Sequence, residues 1–280
     1  MRVVILCSSV YSESACAMAV RMAESGYIPV GALALSTLDR GTLLRKLGQW
    51  GARDVARYAR AKLIPQKTNS SSQLRNPYLQ LKHKGKFFDS LREVAAAYRF
   101  PVVTCNNQNA PQSIVRLKEW SPDLIVFTGG NILRKPLLDV PRLGVLNAHL
   151  GLLPEIRGMS SPEWSLLKRV PVGITIHYMD AGIDTGPILQ RYEFPGTAQC
   201  ESLNDLRNRL IAFGIEKAAE VVAALDRNTI SAKPQSDLSS DLGTDPDKNN
   251  QYFVMHEWLQ ARAAEYLTNR RLATVSTVNG

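Results

Sequence analysis

Asn147 and His149 stand two residues apart at the end of the run Gly144-Val-Leu-Asn-Ala-His149. In a strand, alternate residues share a face, so the amide and the imidazole point the same way at the strand's carboxyl end. Asp184 follows 35 residues later, inside Asp180-Ala-Gly-Ile-Asp-Thr-Gly-Pro187. An amide, an imidazole and a carboxylate converging on one point suit acyl transfer through a tetrahedral intermediate. Each residue also has a plainer role. A lone His in a buried strand is commonly a satisfied core residue, an Asn before a turn commonly caps it, and an Asp before Thr-Gly commonly shapes one.

Positioning these groups requires a sheet, and the chain supplies one. Residues 2–7, 28–35, 101–104, 123–127 and 144–149 are short apolar runs of strand length. Helical periodicity separates them over 12–25, 88–98 and 112–120, with Ala15, Met18, Ala19 and Met22 on one face of the first. Strands alternating with helices of this length predict an α/β fold, a doubly wound and mostly parallel sheet covered on both faces. Ligands of such sheets bind outside the strands' carboxyl ends, where Asn147 and His149 lie. Further on, 172–178 and 188–194 alternate as strands, and 201–225 is a long amphipathic helix carrying Leu206, Leu210, Ala218 and Val222. His177 belongs to the first of these strands and is equally consistent with packing or with a place beside the site. Residues 227–250 are polar with Pro234 and Pro246, a linker composition. A last helix over about 252–267 places Val254, Trp258, Ala261 and Ala264 on one face and docks on the domain or meets a partner, a second copy included. The expected units are 1–226 (catalytic domain), 227–250 (linker) and 251–280 (helical extension).

Composition narrows the class. Hydrophobic residues make up 45% of 280, enough for a sizeable core. No apolar run approaches the ~18 residues of a membrane span, and the apolar start is too short for a secretion signal. The four cysteines show no C-x-x-C pairing and there are only four histidines, which disfavours a structural zinc site. A soluble cytoplasmic protein without a metal is the expectation. The net charge of +9 is concentrated: residues 40–99 hold 14 Lys and Arg against three carboxylates. Such a patch attracts nucleic acid, nucleotide phosphates or a polyglutamylated tail, or is simply a solvated basic face. Its first half, 42–63, has helical spacing of Leu43, Leu44, Leu47, Trp50, Val55 and Tyr58; its second half, 65–85, is rich in Ser, Asn, Gln and Lys and reads as a mobile loop.

Several motifs follow one another in a specific order: Asp123-Leu-Ile-Val-Phe, Gly130-Asn-Ile-Leu133, Pro141 to His149, Leu152-Leu-Pro-Glu-Ile-Arg-Gly158, Gly173-Ile-Thr-Ile-His177 and Asp180 to Leu189. Together they resemble the formyltransferase family that uses 10-formyltetrahydrofolate, over about residues 87–225. Its members include glycinamide ribonucleotide, methionyl-tRNA and sugar-nucleotide N-formyltransferases. The resemblance implies a Rossmann-like fold, Asn147, His149 and Asp184 as the catalytic trio, and no metal. It implies that the pterin of 10-formyltetrahydrofolate lies against Gly130, Ile132 and Leu133 and against Asp180, Gly182, Ile183 and Thr185. Backbone groups there would read the pterin edge, with Ile132, Leu133 and Ile183 as apolar walls. Ser8, Ser9 and Arg157 fall on the acceptor side.

The chain departs from the family's pattern in three places. Leu150 and Gly151 replace the usual Pro-Ser after the catalytic His. The turn Cys7-Ser-Ser-Val-Tyr-Ser-Glu-Ser14 lacks the glycine of a ribonucleotide phosphate cradle, which disfavours purine synthesis. The 55 residues after Leu225 do not suit the tRNA-gripping β-barrel of methionyl-tRNA enzymes. These features favour a small-molecule amine acceptor, such as an amino sugar nucleotide or a specialised metabolite. Two other readings stand: a methionyl-tRNA-type enzyme in which Arg53, Arg57, Arg60, Lys82, Lys84 and Lys86 contact phosphates, and a non-catalytic folate-binding or assembly protein.

Overall fold

Five strands pair in parallel in this computed structural model, which describes residues 1–36, 76–79, 81–83, 85–237 and 251–278. They are β1 (Val3–Cys7), β2 (Gly31–Leu35), β5 (Val102–Cys105), β6 (Leu124–Phe127) and β7 (Gly144–His149). Between β2 and β5 lies a short hairpin of β3 (Lys82–His83) and β4 (Lys86–Phe87). Beyond β7 the sheet changes sense: β9 (Gly173–Tyr178) and β10 (Ile188–Glu193) are antiparallel, giving the order β10-β9-β7-β6-β1-β2-β5. The sheet is therefore the mostly parallel α/β layer expected from the sequence. The second strand begins at Gly31 rather than 28, because Pro29 has no N–H to give a ladder.

Helices cover both faces. On one lie α1 (Glu13–Glu24), α2 (Leu91–Tyr98) and α6 (Leu203–Asp226); α1 buries Ala15, Met18, Ala19 and Met22 as its periodicity predicts. The other face packs α3 (Pro111–Trp120) and the single turn α4 (Lys135–Leu138) on Val4, Leu6, Leu33, Ile125 and Val145. Ser12, Ser90 and Ser202 accept N–H bonds from the first turns of α1, α2 and α6, which is why those helices start where they do. Gly31 sits against the Trp120 ring so closely that a Cβ would meet it at 2.7 Å.

The expected helix over 42–63 lies outside the described residues. Part of the stretch expected to be mobile, 76–79, is tied down instead: Asn76 donates its amide to Asn208 O (2.8 Å) and accepts from Tyr78 N (3.0 Å), and its N–H donates to Glu13. The Tyr78 hydroxyl bonds Asp205, and the Arg209 guanidinium lies over the Tyr78 ring.

After β7 come β8 (Arg157–Gly158) and α5 (Ser161–Lys168). Of the polar stretch 227–250, residues to 237 are described, and Lys233 exchanges both backbone bonds with Ile188 at 2.8 Å. Beyond it, β11 (Gln251–Tyr252) pairs in parallel with β8, and α7 (Glu257–Val278) follows. Tyr252 is thus in a strand, and the helix begins five residues later than its periodicity suggests. Its inward face also differs: Ala263 and Leu267 are buried, whereas Val254 and Trp258 are exposed. Val254 precedes the helix, so extending the 3.6-residue period back through it picked the wrong face. Among the described residues no helix is long and apolar enough to cross a membrane.

Candidate functional site

The change of strand sense at β7 builds the site. The antiparallel register sets Asn147 opposite His177 and His149 opposite Thr175. Asn147 and His149 share a face by alternation, and so do Thr175 and His177, so four polar side chains meet at one seam.

Each is fixed by a specific bond. His177 Nδ1 lies 2.8 Å from Tyr178 O, a carbonyl that can only accept, so that nitrogen carries the proton. The lone pair is then on Nε2, which accepts from Asn147 Nδ2 at 3.2 Å. Burial pushes the His177 pKa down to about 4; the His149 charge pushes the same way, against the pull of Asp184. His177 is therefore a neutral acceptor that orients the Asn147 amide and leaves its second N–H free to donate. Opposite, Thr175 Oγ1 donates to Gly151 O (2.8 Å) and accepts from Leu153 N (3.0 Å), which pins the loop after His149.

His149 Nε2 is 2.7 Å from Ile156 O and 3.3 Å from Ser161 Oγ. Its Nδ1 faces Asp184 Oδ2 at 3.3 Å. Asp184 Oδ2 also accepts the Gly158 N–H at 2.8 Å, and Oδ1 lies 3.7 Å from His177 Nε2. One carboxylate thus spans both histidines. Asp184 occupies the turn between β9 and β10 with φ of 54°, a left-handed conformation that Asp tolerates better than most residues. The turn is laced by Asp180, whose Oδ1 accepts from Gly182 N (3.0 Å) and Thr185 Oγ1 (2.7 Å). A Cβ at Gly182 would strike Thr185 Oγ1, so a close approach there requires glycine.

The segment after β6 is held from the side. Gln108, fully buried, accepts from Asn131 N (2.9 Å) and donates to Cys7 O (3.2 Å); Asn109 donates to Ile132 O and accepts from Arg134 N. Gly130 has φ of 154° and no room for a Cβ against Gln108. Ile132 is 79% exposed on this segment, and Ile183 is exposed on the Asp180–Thr185 turn. Leu133 is different: it turns inward and packs with Leu137 and Val145 in the core.

Ser8 is exposed at the end of β1, beside Gly129, while Ser9 caps the turn into α1 through Tyr11 N. Arg157 is committed inside the protein. Its Nη2 and Nε donate to Gln235 Oε1 at 2.7 and 3.2 Å, and Gln235 Nε2 donates to Asp184 O and Gly186 O. Sequence reasoning missed Gln235, Ser161 and Gln108. None carries a local signal, since each acts across more than ten residues of sequence. Among the described residues, no group of three or more His, Cys, Asp or Glu is arranged to hold a metal ion.

Residues 52–222 match the sequence model of the formyl transferase family. The methionyl-tRNA formyltransferase of Pelobacter propionicus is 34% identical over 152 residues, covering 54% of this chain and 47% of that protein. The chain spans about half the length of the curated relatives it matches. Glycinamide ribonucleotide transformylase 1 from Symbiobacterium toebii superposes with a TM-score of 0.54 at 18% identity, over 81% of this chain and 88% of that one. A sugar N-formyltransferase from Shewanella sp. FDAARGOS_354 gives 0.52 at 15% identity, over 97% and 88%. At such identities the solved structures establish a shared fold.

Proposed function

This chain belongs to the formyl transferase family, and from that premise we propose that it moves a formyl group from 10-formyltetrahydrofolate to an amine, with Asn147, His149 and Asp184 as its catalytic residues. The observation that carries the reading is the convergence of Asn147, His149, His177 and Asp184 at the β7–β9 seam. As the amine adds to the formyl carbon, an oxyanion develops. The free N–H of Asn147, held by His177, is oriented to donate to it; one such donor typically contributes ~10²–10³ in rate. His149 Nε2 is committed to Ile156 O, so proton exchange falls to the other ring nitrogen, Nδ1, and the Asp184 carboxylate beside it. That pair would take the proton from the attacking nitrogen and return one to the departing folate nitrogen. Gly130 and the exposed Ile132 on one segment, and the turn bearing Asp180, Gly182, Ile183 and Thr185 on another, would hold the pterin between them. Leu133 supports the first segment from beneath.

For the acceptor, the aminoacyl end of a methionyl-tRNA fits better than the small amine expected from sequence. Curated relatives at 34–37% identity are methionyl-tRNA formyltransferases, and the 40–99 segment is strongly basic. Incubation with 10-formyltetrahydrofolate and either methionyl-tRNA or a panel of small amines, following tetrahydrofolate release, tests both parts. Turnover with methionyl-tRNA, and tRNA association that weakens steeply with salt, is expected. Turnover only with a small amine would restore the first expectation, and none with any amine would sink formyl transfer altogether.

A further inference from the structure

Building on the proposed formyl transfer, we propose that Gln235 is a positioning residue that fixes the Asp184 carboxylate from behind. A primary amide offers two donors and two acceptor sites, and Gln235 uses all four. Its Nε2 donates to Asp184 O (2.8 Å) and Gly186 O (2.9 Å), while Oε1 accepts twice from Arg157 (2.7 and 3.2 Å). It is 6% exposed, so water does not substitute for these bonds.

The two segments it joins are the two that hold the carboxylate. One is the turn bearing Asp184, whose φ of 54° is a sparsely populated conformation that persists only when its surroundings enforce it. The other is β8, whose Gly158 N–H donates to Asp184 Oδ2 at 2.8 Å. Gln235 therefore sets both the backbone from which the carboxylate projects and the donor that aims it at His149. It touches no reacting atom. The opposite edge of β8 is held independently by Tyr252, which passes so close to Gly158 that a Cβ would strike its carbonyl oxygen. Removing Gln235 thus loosens the carboxylate without detaching β8.

Two variants separate positioning from simple scaffolding. Gln235→Ala removes every bond. Gln235→Glu keeps an oxygen for Arg157 but, ionised, turns an acceptor toward two carbonyl oxygens. A displacement near 1 Å at a reacting group can cost ~10²-fold, so both should lower kcat by about 10-fold to 100-fold, with KM for 10-formyltetrahydrofolate within about twofold. The ratio of Gln235→Glu to wild-type kcat should rise as pH falls and the carboxyl regains a donor, while the Gln235→Ala ratio stays flat. In the NMR spectrum, the ring protons of His149 and His177 should shift in both variants. Wild-type kcat in both variants, a loss confined to KM, or a flat Gln235→Glu ratio would overturn the proposal. Unmoved histidine resonances would do the same even in a protein that proved inactive, whereas wild-type inactivity alone would count against formyl transfer and not against the clamp.

Discussion

The parallel and antiparallel parts of the sheet are built from different materials. In β1, β2 and β6 nearly every side chain is apolar and buried, and the strands do little beyond forming a slab. Across the β7–β9 junction the buried positions hold Thr175, His149 and His177, with Asn147 beside them, each satisfied by a named partner. The slab supplies stability and a rigid base. The junction spends some of that stability on polar groups that must all be paired, because an unpaired buried polar group is costly. The proposed chemistry is concentrated where the sheet changes sense, where the antiparallel register sets the Asn147 amide directly against the His177 imidazole.

That contrast can be broken by substitution. The largest effect expected is in the junction: Asp184→Asn should lower turnover by about 10²–10⁴-fold while folate binding, followed by fluorescence titration, survives. Unchanged turnover would remove Asp184 from its role. In the slab, Leu33→Ala should cost ~2–5 kcal/mol in denaturant unfolding and leave kcat of the folded protein untouched. A matching loss of kcat would show that slab and site are not separable.

A third prediction concerns pH. His177 titrates at about 4 in the folded protein against 6.5 for the ordinary group. Between those values the unfolded chain binds more protons, so stability falls as pH drops from about 6.5 toward 4. The contribution is on the order of 3 kcal/mol, and His177→Gln should remove it, seen as a smaller difference between urea midpoints at pH 7 and pH 4.5. Equal differences in the two proteins would mean that His177 is not held neutral. The smallest effect expected is Gly158→Ala. With φ of 89° and Tyr252 O in the way, it should destabilise by about 1–3 kcal/mol and make α7 more sensitive to proteolysis. A thermal midpoint equal to wild type would show that β8 and β11 yield easily.

The slab was largely legible in the sequence because its signal is local: apolar runs of four to six residues with helical periodicity between them. Asn147 and His149 were legible for the same reason, as alternation puts them on one face. His177 was not decided, because its place depends on the register of β9 against β7, which no short window contains. Gln235 escaped notice in a polar stretch whose composition matches a linker; its partners lie 49 to 78 residues away. Leu133 and the final helix failed differently. Each had the right hydrophobic character, and the sequence alone could not say which side of the chain would face inward.

Asp184 carries a consequence for selection. Its left-handed backbone is a conformation that glycine enters freely and asparagine more readily than most residues. Either replacement would also relieve the protein of a charge held largely out of water between two imidazoles. A screen that rewards heat resistance without measuring turnover will therefore tend to erase the carboxylate. Stabilised descendants of this chain should be sequenced at position 184 before their activity is trusted.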